Sequence, residues 1–140
     1  MANIIPTAFK TELLSGTHNF ANGGNSFKLA LYTSNPYSAS STAYATTNEV
    51  SSSGTSYPAG GQALDSQAVA ATSTTGHVDF ADETFASVTL TAAFAAIYND
   101  TNSDKLCLVL DFGDNKTATN GDFVVQFPTA NASDAIIRIA

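Results

Sequence analysis

Apolar residues recur along this chain with two different periods, and the change of period separates a short N-terminal helix from a β-rich remainder. Residues 5–15 carry apolar side chains four positions apart, which places them on one face of a helix. The residues spaced in this way are Ile5, Phe9 and Leu13. Pro6 suits the first helical turn and Gly16 suits a C-terminal stop. Because so short a helix is marginal alone in water, we expect it to pack on its own sheet, a neighbouring subunit or another partner.

After the turn at 22–25 the period becomes two, which indicates a half-buried strand at 27–32, with every second residue apolar. Further short apolar runs follow at 62–72, 77–81, 84–91, 93–98, 105–112, 122–127 and 134–139. Turn residues separate most of them, at 75–76, 99–104, 113–115 and 120–121. Residues 92–97 suit a helix by propensity, but the β-rich residues before them favour a strand.

This punctuation predicts an all-β fold, a single-domain β-sandwich of the jelly-roll kind with a short N-terminal helix or arm. We divide the chain into an arm at 1–24 and a β-sandwich domain at 25–140.

The stretch from 33 to 76 is rich in Ser, Thr, Ala and Gly and contains no Lys or Arg. A disordered linker would be poor in aromatic residues, yet Tyr37, Tyr44, Tyr57 and Leu64 recur through it. We therefore expect ordered long loops and edge strands that present a nearly uncharged surface. The three tyrosines fit a binding surface and the edge of a core equally well.

Composition narrows the classes of partner. Charged residues make up 12% of the chain, about half of the usual share. The net charge is −7, and the five basic residues are scattered, which argues against direct contact with nucleic acid. No apolar stretch reaches the length of a membrane span, and the first residues lack the pattern of a signal peptide. We expect a protein that is made in the cytoplasm and contacts no membrane.

The residues that could support chemistry form no recognisable set. Cys107 lies in an apolar run, where a buried thiol is expected and no activating base is visible. His18 and His77 are interpreted as surface or rim residues. The oxygen-rich segment 114–122 lacks the acid spacing of a calcium loop, so turn chemistry is favoured over a cation site there. The sequence predicts no catalytic residue, no metal ligand and no cofactor, and hence no enzyme.

Several strings in this order resemble a family of small virion proteins of tailed bacteriophages, including phages of cyanobacteria and other aquatic hosts. They are FKLALYT at 27–33, YATTNEV at 44–50, YPAGG at 57–61, VLDFG at 109–113, GDFVVQFP at 121–128 and AIIRI at 135–139. The resemblance covers nearly the whole chain. It implies a capsid decoration, or cement, protein on the outer surface of the virion, bound to the lattice of the major capsid protein and self-associated, with a homotrimer favoured.

Candidate contacts with the capsid are Ile4, Ile5, Phe9 and Leu13, because a short apolar helix needs a surface to cover. Two other functions stay open. One is a component of the tail, neck or fibre of the virion. The other is a carbohydrate-binding module or adhesin that would use Tyr37, Tyr44 and Tyr57.

Overall fold

A computed structural model describes residues 3–140, and within this range the chain is mostly β-structure. The elements are α1 (Thr7–Leu14), β1 (Phe27–Tyr32), β2 (Gln62–Ala63), β3 (Ala68–Thr72), β4 (Thr75–Asp79), β5 (Glu83–Asn99), β6 (Lys105–Val125) and β7 (Ile137–Ile139). The first sheet has the order β2-β1-β5-β6 and the second β3-β4-β7, and all pairings are antiparallel. The predicted all-β sandwich with a short N-terminal helix is confirmed. No helix among the described residues is long and apolar enough to cross a membrane.

The N-terminal helix packs on the body of the protein. Pro6 occupies the N-cap in an extended conformation, one position before the predicted first turn. Gly16 follows the last turn at a φ of +79°, the left-handed conformation that ends many helices. Phe9 is only 1% exposed and lies against His18 and Phe20 in the main core. The packing of this helix inside the domain explains how so short a helix is stable.

A single long hairpin, β5 with β6, carries four of the predicted short strands. Residues 92–97 lie within β5, so their interpretation as strand is confirmed. The turns expected at 113–115 and 120–121 are wrong, since β6 continues through both. The register runs from Ala92 opposite Lys116 to Phe94 opposite Asp111, so the irregular backbone at Gly113 is a bulge.

Both faces of the first sheet are covered at β1, which corrects the half-buried pattern predicted for this strand. Leu29 and Leu31 point into the main core, together with Val78 of β4. Ala30 and Tyr32 point the other way, into a second cluster that contains Tyr37 and Tyr44. Residues 37–45 of the Ser/Thr-rich segment therefore form a third layer over the outer face of this sheet, whereas Val50 and Tyr57 of the same segment lie in the main core.

The run predicted as one strand at 62–72 divides between the two sheets. β2 pairs with β1 at one edge of the first sheet, and β3 pairs with β4 at one edge of the second. This confirms the long loops and edge strands expected for 33–76. β3 is exposed along its whole length and carries no charged side chain.

Candidate interaction surface

Glu49 organises the segment 33–61 from within. Its Oε1 accepts hydrogen bonds from the Tyr57 hydroxyl and the Gly60 backbone N–H, both at 2.8 Å. Its Oε2 accepts a hydrogen bond from the Tyr44 hydroxyl at 2.5 Å. No cation of this chain neutralises Glu49 among the described residues, so these three donors stabilise its charge. The loop is consequently held to one conformation by its own polar side chains.

A second group of hydroxyls fixes the start of the same segment. The Tyr32 and Tyr37 hydroxyl oxygens lie 2.6 Å apart, and Tyr32 donates to the Ala45 carbonyl at 2.7 Å. The Ala45 N–H in turn donates to the Tyr37 hydroxyl at 3.0 Å. Burial raises the pKa of both tyrosines above the ordinary value, as expected where the charged form loses its hydration.

The structure therefore does not present the predicted tyrosines as a binding surface. Tyr37 and Tyr57 are buried. Tyr44 is half-buried and stacks on Tyr98 with ring centroids 4.6 Å apart. A sugar needs an exposed aromatic face to stack on. The prediction that these three tyrosines form a carbohydrate-binding site is therefore wrong. The physical reason is that Tyr37 and Tyr44 pack between the third layer and the first sheet, and that Tyr57 lies in the main core.

The predicted contacts at the N-terminus divide in a similar way. Ile4 exchanges backbone hydrogen bonds with Val109 on β6, at 3.0 and 2.8 Å. Phe9 lies in the core, so its prediction as a partner contact is wrong. Leu13 is partly buried against the same core, whereas Ile5 is 41% exposed. Of the four, Ile5 is the most available to a partner.

A continuous apolar surface nevertheless surrounds Ile5. We call it the apolar strip and define it by Ile5, Lys10, Leu13, Leu14, Val69, Ile137, Arg138 and Ile139. It consists of two adjoining grooves of about 280 and 370 Å³ that share Leu13, Ile137 and Ile139. Four of the five large apolar side chains that are exposed in the described chain lie on the strip. The most exposed of them is Leu14, at 89%. Isolated exposed apolar residues need no explanation, but a contiguous set marks an interaction site.

The two histidines are buried, which corrects their prediction as surface residues. The His18 Nδ1 accepts a hydrogen bond from the Asn99 side-chain amide at 3.0 Å. Its Nε2 lies 3.5 Å from Glu12, and Cys107 Sγ lies 3.8 Å from Nδ1. Sequence reasoning missed this base beside the thiol, since His18 and Cys107 are 89 positions apart.

A thiol, an imidazole and a carboxylate in this order could serve nucleophilic chemistry only if a substrate reached the sulfur. Cys107 is 0% exposed, and burial raises the pKa of its thiol well above the ordinary value. Burial also lowers the pKa of His18, partly offset by Glu12. The cluster therefore joins the helix to the hairpin as a structural contact, and the prediction of a buried Cys107 is confirmed.

Neither the second histidine nor the oxygen-rich segment forms a site. His77 Nε2 lies 3.0 Å from the Thr72 hydroxyl, diagonally across the β3–β4 hairpin, in which His77 is opposite Ala70. Residues 114–122 lie within β6, where Asp114 and Asp122 are exposed. Among the residues that the structure describes, no group of three or more His, Cys, Asp or Glu side chains is placed to hold a metal ion.

No known protein provides a functional assignment for the apolar strip. Comparison with protein-family models, with curated proteins and with solved structures found no match to this chain.

Proposed function

We propose that this protein is a non-enzymatic structural protein of a tailed-phage virion, which binds the outer surface of the capsid and reinforces it. The observation that carries this proposal is the apolar strip, a rigid surface on the helix and the second sheet that no described residue covers. The sequence resemblance supplies the virion as the setting. The strip supplies a means of attachment.

The third layer of the molecule supports the same proposal. Its side chains are short and mostly uncharged, so few flexible chains would be immobilised on contact, which lowers the entropic cost of association. The network around Glu49 holds the loop in place before any partner arrives. A reinforcing protein benefits from such a preformed shape because many copies bind one repeating lattice.

Burying Leu14 against a partner would contribute about 2 kcal/mol, which corresponds to roughly a 30-fold change in affinity. Substitution of Leu14 and Ile5 by Gln removes this apolar contact without adding charge. We expect particles of the parent phage to carry far fewer copies of the Leu14→Gln/Ile5→Gln protein. Val124→Gln is the matched control, since Val124 is 51% exposed outside the strip, and its occupancy should equal that of the wild type.

Electron microscopy of purified particles tests the assignment directly. Density for this protein on the outer face of the head, in a fixed ratio to the major capsid protein, is the expected result. That ratio also tests the predicted homotrimer. Density at the tail, neck or fibre would replace the proposal with the alternative location, and absence from particles would end it.

A further inference from the structure

The charges along the apolar strip are all of one sign, although the chain as a whole is acidic. The groove between α1 and β7 is lined by Lys10 and Arg138 and by no carboxylate. The adjoining groove is lined by neither Lys, Arg, Asp nor Glu. The twelve acidic residues of the chain therefore all lie outside both linings.

These two cations differ from Lys28 and Lys105, which form ion pairs, and resemble Lys116, which forms none among the described residues. Lys28 lies 3.6 Å from Asp100, and Lys105 lies 3.1 Å from Glu12. Within the described residues Lys10 and Arg138 form no ion pair, and the one hydrogen bond of the Arg138 side chain goes to the Ala132 carbonyl at 2.9 Å. Both residues are exposed.

We infer that the apolar strip binds a segment of the capsid lattice that combines apolar side chains with at least one carboxylate. The apolar side chains would fill the groove over Leu13 and Ile137, and the carboxylate would lie between Lys10 and Arg138. Opposite charges across an interface steer the encounter and fix its register. This inference rests on the proposed function, since it specifies the chemistry of the partner at the same surface.

The net negative charge of the protein explains why binding to an acidic partner requires a local cationic patch. A protein of net charge −7 is repelled by an acidic partner at long range, and a local pair of cations reverses that repulsion only at the correct patch. An Arg can bind a carboxylate through two parallel hydrogen bonds, which gives Arg138 the larger expected effect.

The experiment measures occupancy on particles of the parent phage from which the gene has been deleted, to which purified protein is added back. The variants are Lys10→Glu, Arg138→Glu and the double substitution. Lys116→Glu, at an exposed site on β6, is the matched control because it changes the net charge by the same amount as each single substitution. Thermal unfolding of each variant verifies that it folds.

We expect the double variant to lose at least tenfold in affinity, and Lys116→Glu to stay within about twofold of the wild type. Raising the salt concentration from about 0.05 to 0.5 M should weaken the wild type and have less effect on the double variant, because salt screens exposed charge pairs.

Three results would overturn the inference. Equal losses for Lys116→Glu and for each of the single variants Lys10→Glu and Arg138→Glu would show that only net charge matters. Unchanged binding of the double variant, with loss on Leu14→Gln/Ile5→Gln, would leave the docking role intact and remove the acidic partner. Finally, if light scattering shows that the isolated protein self-associates and that Lys10→Glu/Arg138→Glu dissociates it, the occupant is a second copy of the chain. Failure of the wild type itself to bind the particles would instead refute the proposed function.

Discussion

The Tyr57 hydroxyl connects the first sheet to Glu49. It accepts a hydrogen bond from the Leu31 N–H of β1 at 3.0 Å and donates one to Glu49 Oε1 at 2.8 Å. The ring itself is 2% exposed and stacks near Phe85 with centroids 5.6 Å apart. Tyr57 therefore attaches the segment 33–61 to the core through hydrogen bonds and ring packing.

We predict that Glu49→Ala destabilises the protein by about 3 kcal/mol, since it leaves the hydroxyls of Tyr44 and Tyr57 without their charged acceptor. The loop 33–61 should also become a site of rapid proteolysis. Urea unfolding and limited proteolysis measure the two effects. Asp65→Ala is the control, because Asp65 is the other charged residue of the stretch 33–76 and its side chain is exposed. Equal effects for both substitutions would refute a specific role for Glu49.

We predict that the free energy of unfolding decreases at alkaline pH because the buried tyrosines resist ionisation. Burial raises the pKa of all five tyrosines above the ordinary value of 10. The unfolded chain therefore loses phenolic protons from about pH 10 upward, while the folded chain retains them. The contribution of the protonated tyrosines to the free energy of unfolding is fully present below about pH 10 and declines as the pH rises further. We expect tyrosinate absorbance and loss of circular dichroism to appear together; five tyrosines that ionise near pH 10 in a folded protein would contradict this.

Much of the fold could be predicted from local patterns, and the failures have a common cause. The helix and most of the β-structure follow from periodicity and from short runs of turn residues. The interpretation of Gly113 and Asn120 as turns is wrong because turns and bulges both use a positive φ, and sequence does not distinguish them. Only the pairing with β5 decides between the two.

The interaction surface is less predictable because two apolar residues of the same short helix, α1, have opposite environments. Phe9 and Leu14 are both large and apolar, yet one is 1% and the other 89% exposed. The direction of the helix relative to the core decides which of them a partner can reach. Val69 and Ile139 join the strip only because β3 and β7 belong to the same sheet, a relation between distant segments.

Gly61 and Gly76 allow a paired test of where the backbone requires glycine. Gly61 has a φ of +81°, and a Cβ at this position would collide with the Leu29 carbonyl of β1. Gly76 lies in β4, and a methyl group added there would meet nothing within 4 Å. We expect Gly61→Ala to destabilise by about 2 kcal/mol or more, and Gly76→Ala to stabilise by about 0.5 kcal/mol. Urea unfolding of the two variants should show opposite signs, and a loss of stability in both would show that the open space beside β4 is filled.

His18 makes stability depend on pH in the mildly acidic range. The side chain is 5% exposed, lies 4.9 Å from the Phe9 ring and has a lowered pKa because burial disfavours the imidazolium. Below about pH 6.5 the unfolded chain binds a proton that the folded chain binds less readily, so stability present above that pH is lost as the pH falls. The loss is at most about 1.4 kcal/mol at pH 5.5.

The substitution His18→Leu isolates this effect, since it keeps an apolar side chain beside Phe9 and removes the titrating group. Glu83 has a raised pKa, again through burial, and its protonation acts in the opposite direction near and above its ordinary value of 4.5. Comparing wild type and His18→Leu at the same pH therefore cancels the Glu83 contribution. We expect the stability difference between them to shift in favour of the variant from about pH 7.5 to about pH 5.5, by up to about 1.4 kcal/mol. Parallel pH profiles for the two proteins would mean that His18 is protonated equally in the folded and unfolded states.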